Sequence, residues 1–442
     1  MKKFTFQLML VCILVLTTGC SSVIDISNTQ NLYRSGNFNS AYESLLAKQD
    51  MIIKSQGLIV MGLDAGLLSR LNGEYKHSNE LLSDAERRIQ EAYTESLTAN
   101  ISSFIVNDNT KAYQGEDYED IYINVFKALN YIHLEQGESA LVELRRSIEK
   151  QSLLKQKYEQ QTRKVIDYAE KQGIDKATSN TYSSSFSSSA LANYLTMVAA
   201  RGIGDSNTFS YALDQISRSF ATQEKLYPFP LPSSLQQEQM KLPEGKARLH
   251  VVAFNGLAPE KKEAVESIYV SRNNYAKIAY PILVGRHSEV QSIKVTLDDG
   301  TSFFLEKLES ISGIAIDTFK AKSDVTRLKA ITRSMIKAIG IAIYDGVAEE
   351  KAQKNNTTVS VAEELLGWVF KIASNVSESA DVRSSHFLPS TAWVGATTLN
   401  PGVYDMKIEF RNNSGRTLHT QHISRYEVTE SGINLNEAIC PL

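Results

Sequence analysis

"LYPFPLPSSLQQEQMKLPEG", residues 226–245, is where the chain changes its period. The stretch holds four of the nine prolines. Proline lacks the amide that a helix interior or an inner strand needs, so these residues read as an extended connector. Before it, over 30–225, apolar residues recur at helical spacing. After it, "ARLHVVAFNG" is apolar and rich in β-branched residues, and ends at Asn255-Gly256, a turn signal. "YAKIAYPILV", "VQSIKVTLDDGTSFFLEKL" and "STAWVGATTLNPGVYDMKIEFRNNSGRTLHTQHISRYEV" also read as strands, with turns at Asp299-Gly300, Asn400-Pro401-Gly402 and Asn413-Ser414-Gly415. Residues 313–376 between them are helical again. Arg333, Lys337 and Asp345 interrupt the apolar run "ITRSMIKAIGIAIYDGV", which predicts a buried helix and not a membrane span.

The expected fold class is therefore α+β and multidomain. It places an all-α N-terminal array before a C-terminal α+β module of antiparallel strands with a helical insertion. The expected boundaries are a leader at 1–19, a helical domain at 20–225, the linker at 226–246, the α+β domain at 247–430 with its insertion at 313–376, and a tail at 431–442. The Ser-rich "TSNTYSSSFSSS", 178–189, reads as a flexible, exposed loop.

Within the helical half one plan returns: an apolar helix, a glycine turn, then a second helix with a small residue near its start. Gly36-Asn37-Phe38 followed by Ala41, and Gly73-Glu74-Tyr75 followed by Ser78, resemble the G-x-Y-x-x-A turn of the tetratricopeptide repeat. Gly137-Glu138-Ser139-Ala140 lacks the aromatic, and a looser copy breaks around Gly202–Asp205. The step from Gly36 to Gly73 is close to the repeat's roughly 34 residues, whereas that from Gly73 to Gly137 is far longer, so the array is degenerate.

The first residues read as a secretory leader, with Lys2 and Lys3 ahead of the apolar run Leu8–Leu16. The apolar stretch is too short for a span of roughly 20 residues. Thr17-Thr18-Gly19-Cys20 then resembles the lipobox of bacterial lipoproteins, with Thr17 standing where that box usually carries Leu. The resemblance implies cleavage between Gly19 and Cys20, lipidation of Cys20, and sorting to the outer membrane by Ser21. Lys2 and Lys3 leave with the leader, so the mature chain is mildly acidic and the lipid, not charge, makes the membrane contact.

A net charge of −3 demands no basic face and points away from a nucleic-acid partner. Cys12, Cys20 and Cys440 lie too far apart for a metal knuckle, so no metal or cofactor is expected. For Cys440 an intermolecular disulfide and a buried inert thiol both stand open. Ser152–Lys155 and Ser334–Lys337 match the S-x-x-K spacing of penicillin-binding enzymes, but no K-T-G completes that site. The histidines His77, His133, His250, His287, His386, His419 and His422 form no H-E-x-x-H and read as surface residues. Asp381 and Arg383, just before His386, read as a pair holding the start of a strand. Arg145-Arg146 reads as the cationic end of a repeat helix.

Four phrases carry a wider likeness: "YEDIYINVFKALNYIHLEQGESALVELRR" (118–146), "VVAFNGLAPEKKE" (251–263), "IAYPIL" (278–283) and "SADVRSSHFLPSTAWVGATTLNPGVYDMKIEF" (379–410). Through them the chain resembles a family of Gram-negative outer-membrane lipoproteins with a tetratricopeptide-like N-terminal half. The resemblance implies no known enzyme activity and no cofactor. It implies a periplasm-facing, lipid-anchored interaction scaffold with envelope proteins as partners and a link to cell-envelope assembly. The alternatives are an envelope enzyme acting on peptidoglycan and a lipoprotein that binds a glycan or small molecule.

Cys20→Ser is expected to leave an unprocessed or soluble precursor. A variant that still fractionates with the outer membrane at unchanged mass would remove the lipoprotein reading.

Overall fold

Ala247–Asn255 (β1) has no exposed residue along its length. That explains why "ARLHVVAFN" shows no alternation: a strand covered on both sides needs apolar or paired side chains at every position. The computed structural model describes residues 24–98, 112–171, 182–271, 274–355 and 379–442. The leader, Gly19, Cys20, residues 178–181 and residues 356–376 of the insertion lie outside them.

The helical half runs α1 (Ser27–Arg34), α2 (Phe38–Leu46), α3 (Gln49–Gln56), α4 (Leu58–Leu71), α5 (Tyr75–Thr98), α6 (Asp117–His133), α7 (Gly137–Lys171), α8 (Ala190–Ile203) and α9 (Ser206–Thr222). A short α10 (Ser234–Glu238) precedes β1. Then follow β2 (Glu260–Ser271), β3 (Asn274–Val284), β4 (Ser292–Leu297), β5 (Ser302–Ser310), α11 (Ile311–Asn355), β6 (Thr391–Leu399), β7 (Gly402–Arg411), β8 (Thr417–Val428) and β9 (Leu435–Cys440). The architecture is thus mixed, helices first and strands after, as the change of period predicts.

Asn37, Ser189 and Asp205 cap α2, α8 and α9 through side-chain bonds to the first-turn amides. The helices pair as α4 on α5, α6 on α7 and α8 on α9, but α5 has 24 residues and α7 has 35, so the hairpins are unequal. Gly137 is not the break itself: Glu135 takes the left-handed conformation at φ 60, and Gly137 opens α7. A Cβ on Gly137 would meet Ile203 at 2.7 Å, and one on Gly202 would meet Ile433 at 2.1 Å. These glycines let the C-terminal segment seat against α7 and α8. Arg145 and Arg146 lie inside α7, which continues to Lys171, and so do not end a helix.

Seven strands form one sheet in the order β8-β7-β4-β5-β6-β1-β9, while β2 and β3 make a separate hairpin. Only β1–β9 is a parallel pairing within the seven. The outer strands β8 and β9 approach each other: Gln421 on β8 accepts from the Ile439 amide at 3.0 Å and donates to the Glu437 carbonyl at 3.4 Å. The sheet therefore nearly closes around Leu249, Val251, Val295, Ile408, Phe410 and Trp393. Its opposite face presents Val252, Phe254, Val394 and Leu435 to the helices, with Phe254 and Phe126 rings 5.6 Å apart.

Three segments differ from expectation. Residues 431–442 are not a tail, because β9 pairs with β1. The segment 226–246 is not a free spacer: Leu226, Tyr227 and Leu235 join the helical core. From Tyr182 onward the Ser-rich stretch is pinned, with Ser189 fully buried. Among the described residues no helix is long and apolar enough to cross a membrane.

The helical layer is clamped to β9 by a buried ion pair. Arg70 on α4 donates to both oxygens of Glu437 at 2.8 and 2.7 Å, and through Nε to Asn130 at 3.0 Å. His133 stands 3.0 Å from the same carboxylate and stacks on Tyr75. Burial opposes the charge of Glu437, but Arg70 and His133 outweigh it and depress its pKa. Arg70→Met leaves that buried carboxylate with His133 alone beside it and is expected to cost about 3 kcal/mol in urea unfolding. Arg70→Met with Glu437→Leu should recover most of the loss; an unchanged midpoint in the single variant would refute the clamp.

Candidate functional site

The site is built from the N-terminus of α6. Glu116 caps this helix from an extended conformation and forms a capping box with Glu119. Asp117, Glu119 and Asp120 crowd the first turn, where carboxylates suit the positive end of the helix dipole. Their spacing sends them to different neighbours. Glu116 meets Lys261 of β2 and Lys322 of α11, the latter at 2.8 Å. Asp117 meets Lys157 and the Tyr158 hydroxyl of α7. Asp120 meets Lys150, also of α7, at 2.6 Å.

One turn further on, the network continues inward. Lys150 reaches Glu86 of α5 at 2.8 Å. Lys127 lies between Glu86 at 2.8 Å and Glu143 at 3.0 Å. Asn124 donates to both of those carboxylates, at 2.9 and 2.6 Å.

Glu116, Asp117, Asp120, Lys150, Lys157, Lys261 and Lys322 wall a cavity of about 310 Å³ between α5, α6, α7, α11 and the β2–β3 hairpin. That is at the lower end of ordinary ligand sites. Tyr93, Tyr113 and Tyr158 contribute aromatic surface, and Ile89, Leu153, Leu154 and Phe319 the apolar wall. The Lys157 ammonium lies 4.9 Å from the centre of the Tyr93 ring, and that of Lys261 lies 5.0 Å from Tyr113. Asp381 lines the same cavity and is held by Arg383 at 2.8 Å, so the expected Asp–Arg pair forms at its edge.

The electrostatics follow from which partner each carboxyl has. Burial works against the charges of Asp117 and Glu86, but Lys157 and Lys322 outweigh it at Asp117, and Lys150 and Lys127 at Glu86. Asp117 is lowered and Glu86 is brought down to about 2. Glu119 goes the other way. Burial, with the charge of Glu116 beside it, pushes its carboxyl up to about 7, although Tyr113, the Glu116 amide and the Ser385 amide all donate to it. Burial likewise raises Asp120 and holds the Tyr113 and Tyr158 hydroxyls protonated.

The other candidate residues lie elsewhere. Ser152 spends its hydroxyl on the Glu149 carbonyl, and Ser334 is buried in α11; the Lys337 side chain lies outside the described ones. Three histidines are not simple surface residues. His386 pairs with the buried Asp64 at 2.6 Å and His133 with Glu437. His250 is buried, 3.0 Å from the Tyr194 hydroxyl, and burial, reinforced by Arg201 and Arg248, keeps it neutral. Cys440 is buried in β9, with its thiol pushed up to about 11 by burial, so the inert alternative holds. Among the described residues no three His, Cys, Asp or Glu side chains are grouped to hold a metal ion.

The cavity lysines come from separate segments and carry no local pattern, so spacing could not find them. The acidic "GEDYED" ahead of an apolar helix was the available signal. No protein-family model, curated protein or solved structure matches the chain.

Linkage gives the site a pH signature. A carboxyl whose folded pKa exceeds its unfolded value contributes stability at low pH that is lost as pH rises. For Glu119 that window runs from 4.5 to about 7. The unfolding free energy of the native chain minus that of Glu119→Gln should therefore fall across it. A difference that stays flat over the window would sink the assignment.

Proposed function

We propose that this protein is a lipid-anchored, periplasm-facing lipoprotein of the outer membrane that acts by binding and not by catalysis. The helical hairpins are read as a degenerate tetratricopeptide-like array. The helical surface around Phe126 is covered by the sheet, whose Val252, Phe254, Val394 and Leu435 pack on it, so envelope proteins would meet other surfaces, and the cavity is the ligand site.

One observation carries the reading. The acidic groups Glu116, Asp117, Asp120 and Asp381 all line the cavity, and each already has its own basic partner. No serine, histidine or cysteine lines it among the described residues; of the hydroxyls that do, Tyr113 and Tyr158 donate to Glu119 and Asp117 and are held protonated by burial, and Thr326 donates to the Lys322 carbonyl. What they do offer is a preorganised surface on which ammonium and carboxylate groups alternate beside tyrosine rings. That surface suits a small ligand carrying both signs of charge and some apolar body.

Diaminopimelic acid, which carries two ammonium and two carboxylate groups on a short apolar chain and fits a cavity of this size, serves as the probe. It should raise the unfolding temperature of the purified chain. The rise should disappear in Leu153→Trp, which fills the cavity from a position that is 59% exposed and leaves the core intact. No shift in the native chain, or an equal shift in both, would count against the cavity as the site.

A further inference from the structure

We infer that the protein rests on the bilayer through the end of its helical layer at which the described chain begins, the face carrying Leu46, Lys48 and Met51; this rests on the reading of Cys20 as the lipid attachment point. The first argument is reach. Four residues from Cys20 to Ile24 span roughly 14 Å even when fully extended. That is about twice the polar layer on one side of a bilayer, roughly 5–7.5 Å beyond the roughly 30 Å hydrocarbon core. Whatever surrounds Ile24 therefore stands within about 10 Å of the headgroups.

The second argument is that this starting point is tied down. Ile26 is buried in the helical core. Lys48, in the turn between α2 and α3, donates to the Asp25 carbonyl. Asn28 and Thr29 meet Ser44 of α2 at 3.2 and 2.9 Å. The chain thus enters beside the α2–α3 turn, and the side chains of that turn are carried to the membrane with it.

Those side chains suit the location. Leu46 is 39% exposed and Met51 is 53% exposed, on either side of Lys48. Lys54 lies one helical turn beyond Met51 and is exposed, so α3 sets a lysine next to an outward apolar residue, the combination found at bilayer interfaces. A single exposed Met or Leu elsewhere would need no explanation. Here two flank the point where a four-residue tether ends. Asp25, Glu43 and Asp50 lie among the lysines, so the contact is apolar and not driven by charge.

The test uses the full acylated chain in vesicles of phosphatidylethanolamine and phosphatidylglycerol, with a nitroxide label at Met51→Cys. A second label at Tyr211→Cys, on α9 and 62% exposed, is the comparator. Cys20 is consumed by the lipid and Cys440 is buried, so the unsubstituted chain should take up no label. Relative to a soluble form that begins at Ser21 and so carries neither the leader nor Cys12, the Met51 label is expected to lose most of its access to a water-soluble nickel quencher. The Tyr211 label should keep its own, and 1 M salt should not reverse the result. An acylated, vesicle-bound chain in which both labels stay accessible overturns the docking face, and protection of both overturns it as well. A chain that carries no acyl group and does not float with vesicles overturns the anchor itself, which the mass and the flotation reveal separately.

Discussion

β1 runs its whole length without meeting solvent, so each of its faces requires its own cover. One face closes a nearly complete barrel with Leu249, Val251 and Ala253. The other, with Val252 and Phe254, lies on α6 and the helices around it. Neither half of the chain can supply both covers, and the helical layer and the strands consequently share a core. This is why the Pro-rich segment serves as a wall and why β9 returns to pair with β1. The C-terminal residues complete the strand that the helices lie against.

A junction of this kind buries polar groups, and the chain answers with hydroxyls. Glu309, at a bulge in β5, is buried without a cation. It accepts from Tyr122 at 2.7 Å, Tyr227 at 2.9 Å, the Ser189 hydroxyl at 2.8 Å and the Leu191 amide at 3.1 Å. Because Ser189 caps α8, the carboxylate also faces the positive end of that helix. Asp317 on α11 is held in a similar way, by Tyr182 at 2.5 Å and by the Ser185 amide and hydroxyl at 3.0 Å each. A run of serines beside two buried acids is thus a set of short donors, each able to approach closely without adding bulk.

That accounts for what could and could not be read from the residues alone. Periodicity told helices from strands because it reports which face is buried, and it located the change at the prolines. It failed wherever a polar residue was buried by pairing. "TSNTYSSSFSSS" has the composition of a loop, and its part from Tyr182 onward becomes a cradle only when Asp317 and Glu309 arrive from more than a hundred residues away. "NLNEAIC" looked like a tail because Glu437 spoils its apolar pattern, and Arg70 with His133 makes that glutamate tolerable inside a sheet. The cavity was hidden for the same reason, since its lysines belong to α7, β2 and α11 and its acids mostly to α6.

The charges around the cavity are hard to explain by stability. Buried ion pairs give back in attraction roughly what desolvation takes, and exchanging them for packed apolar side chains is often neutral or favourable by about 1–4 kcal/mol. An interface that only had to hold α6 against α7 and α11 would be served as well by leucines. Here lysines from three elements converge on carboxylates of one helix turn and leave space between them. The pairs orient one another, so little side-chain freedom remains to be lost when something enters. A ligand with one sign of charge would break pairs to make its own, whereas one carrying both signs extends the alternation already present.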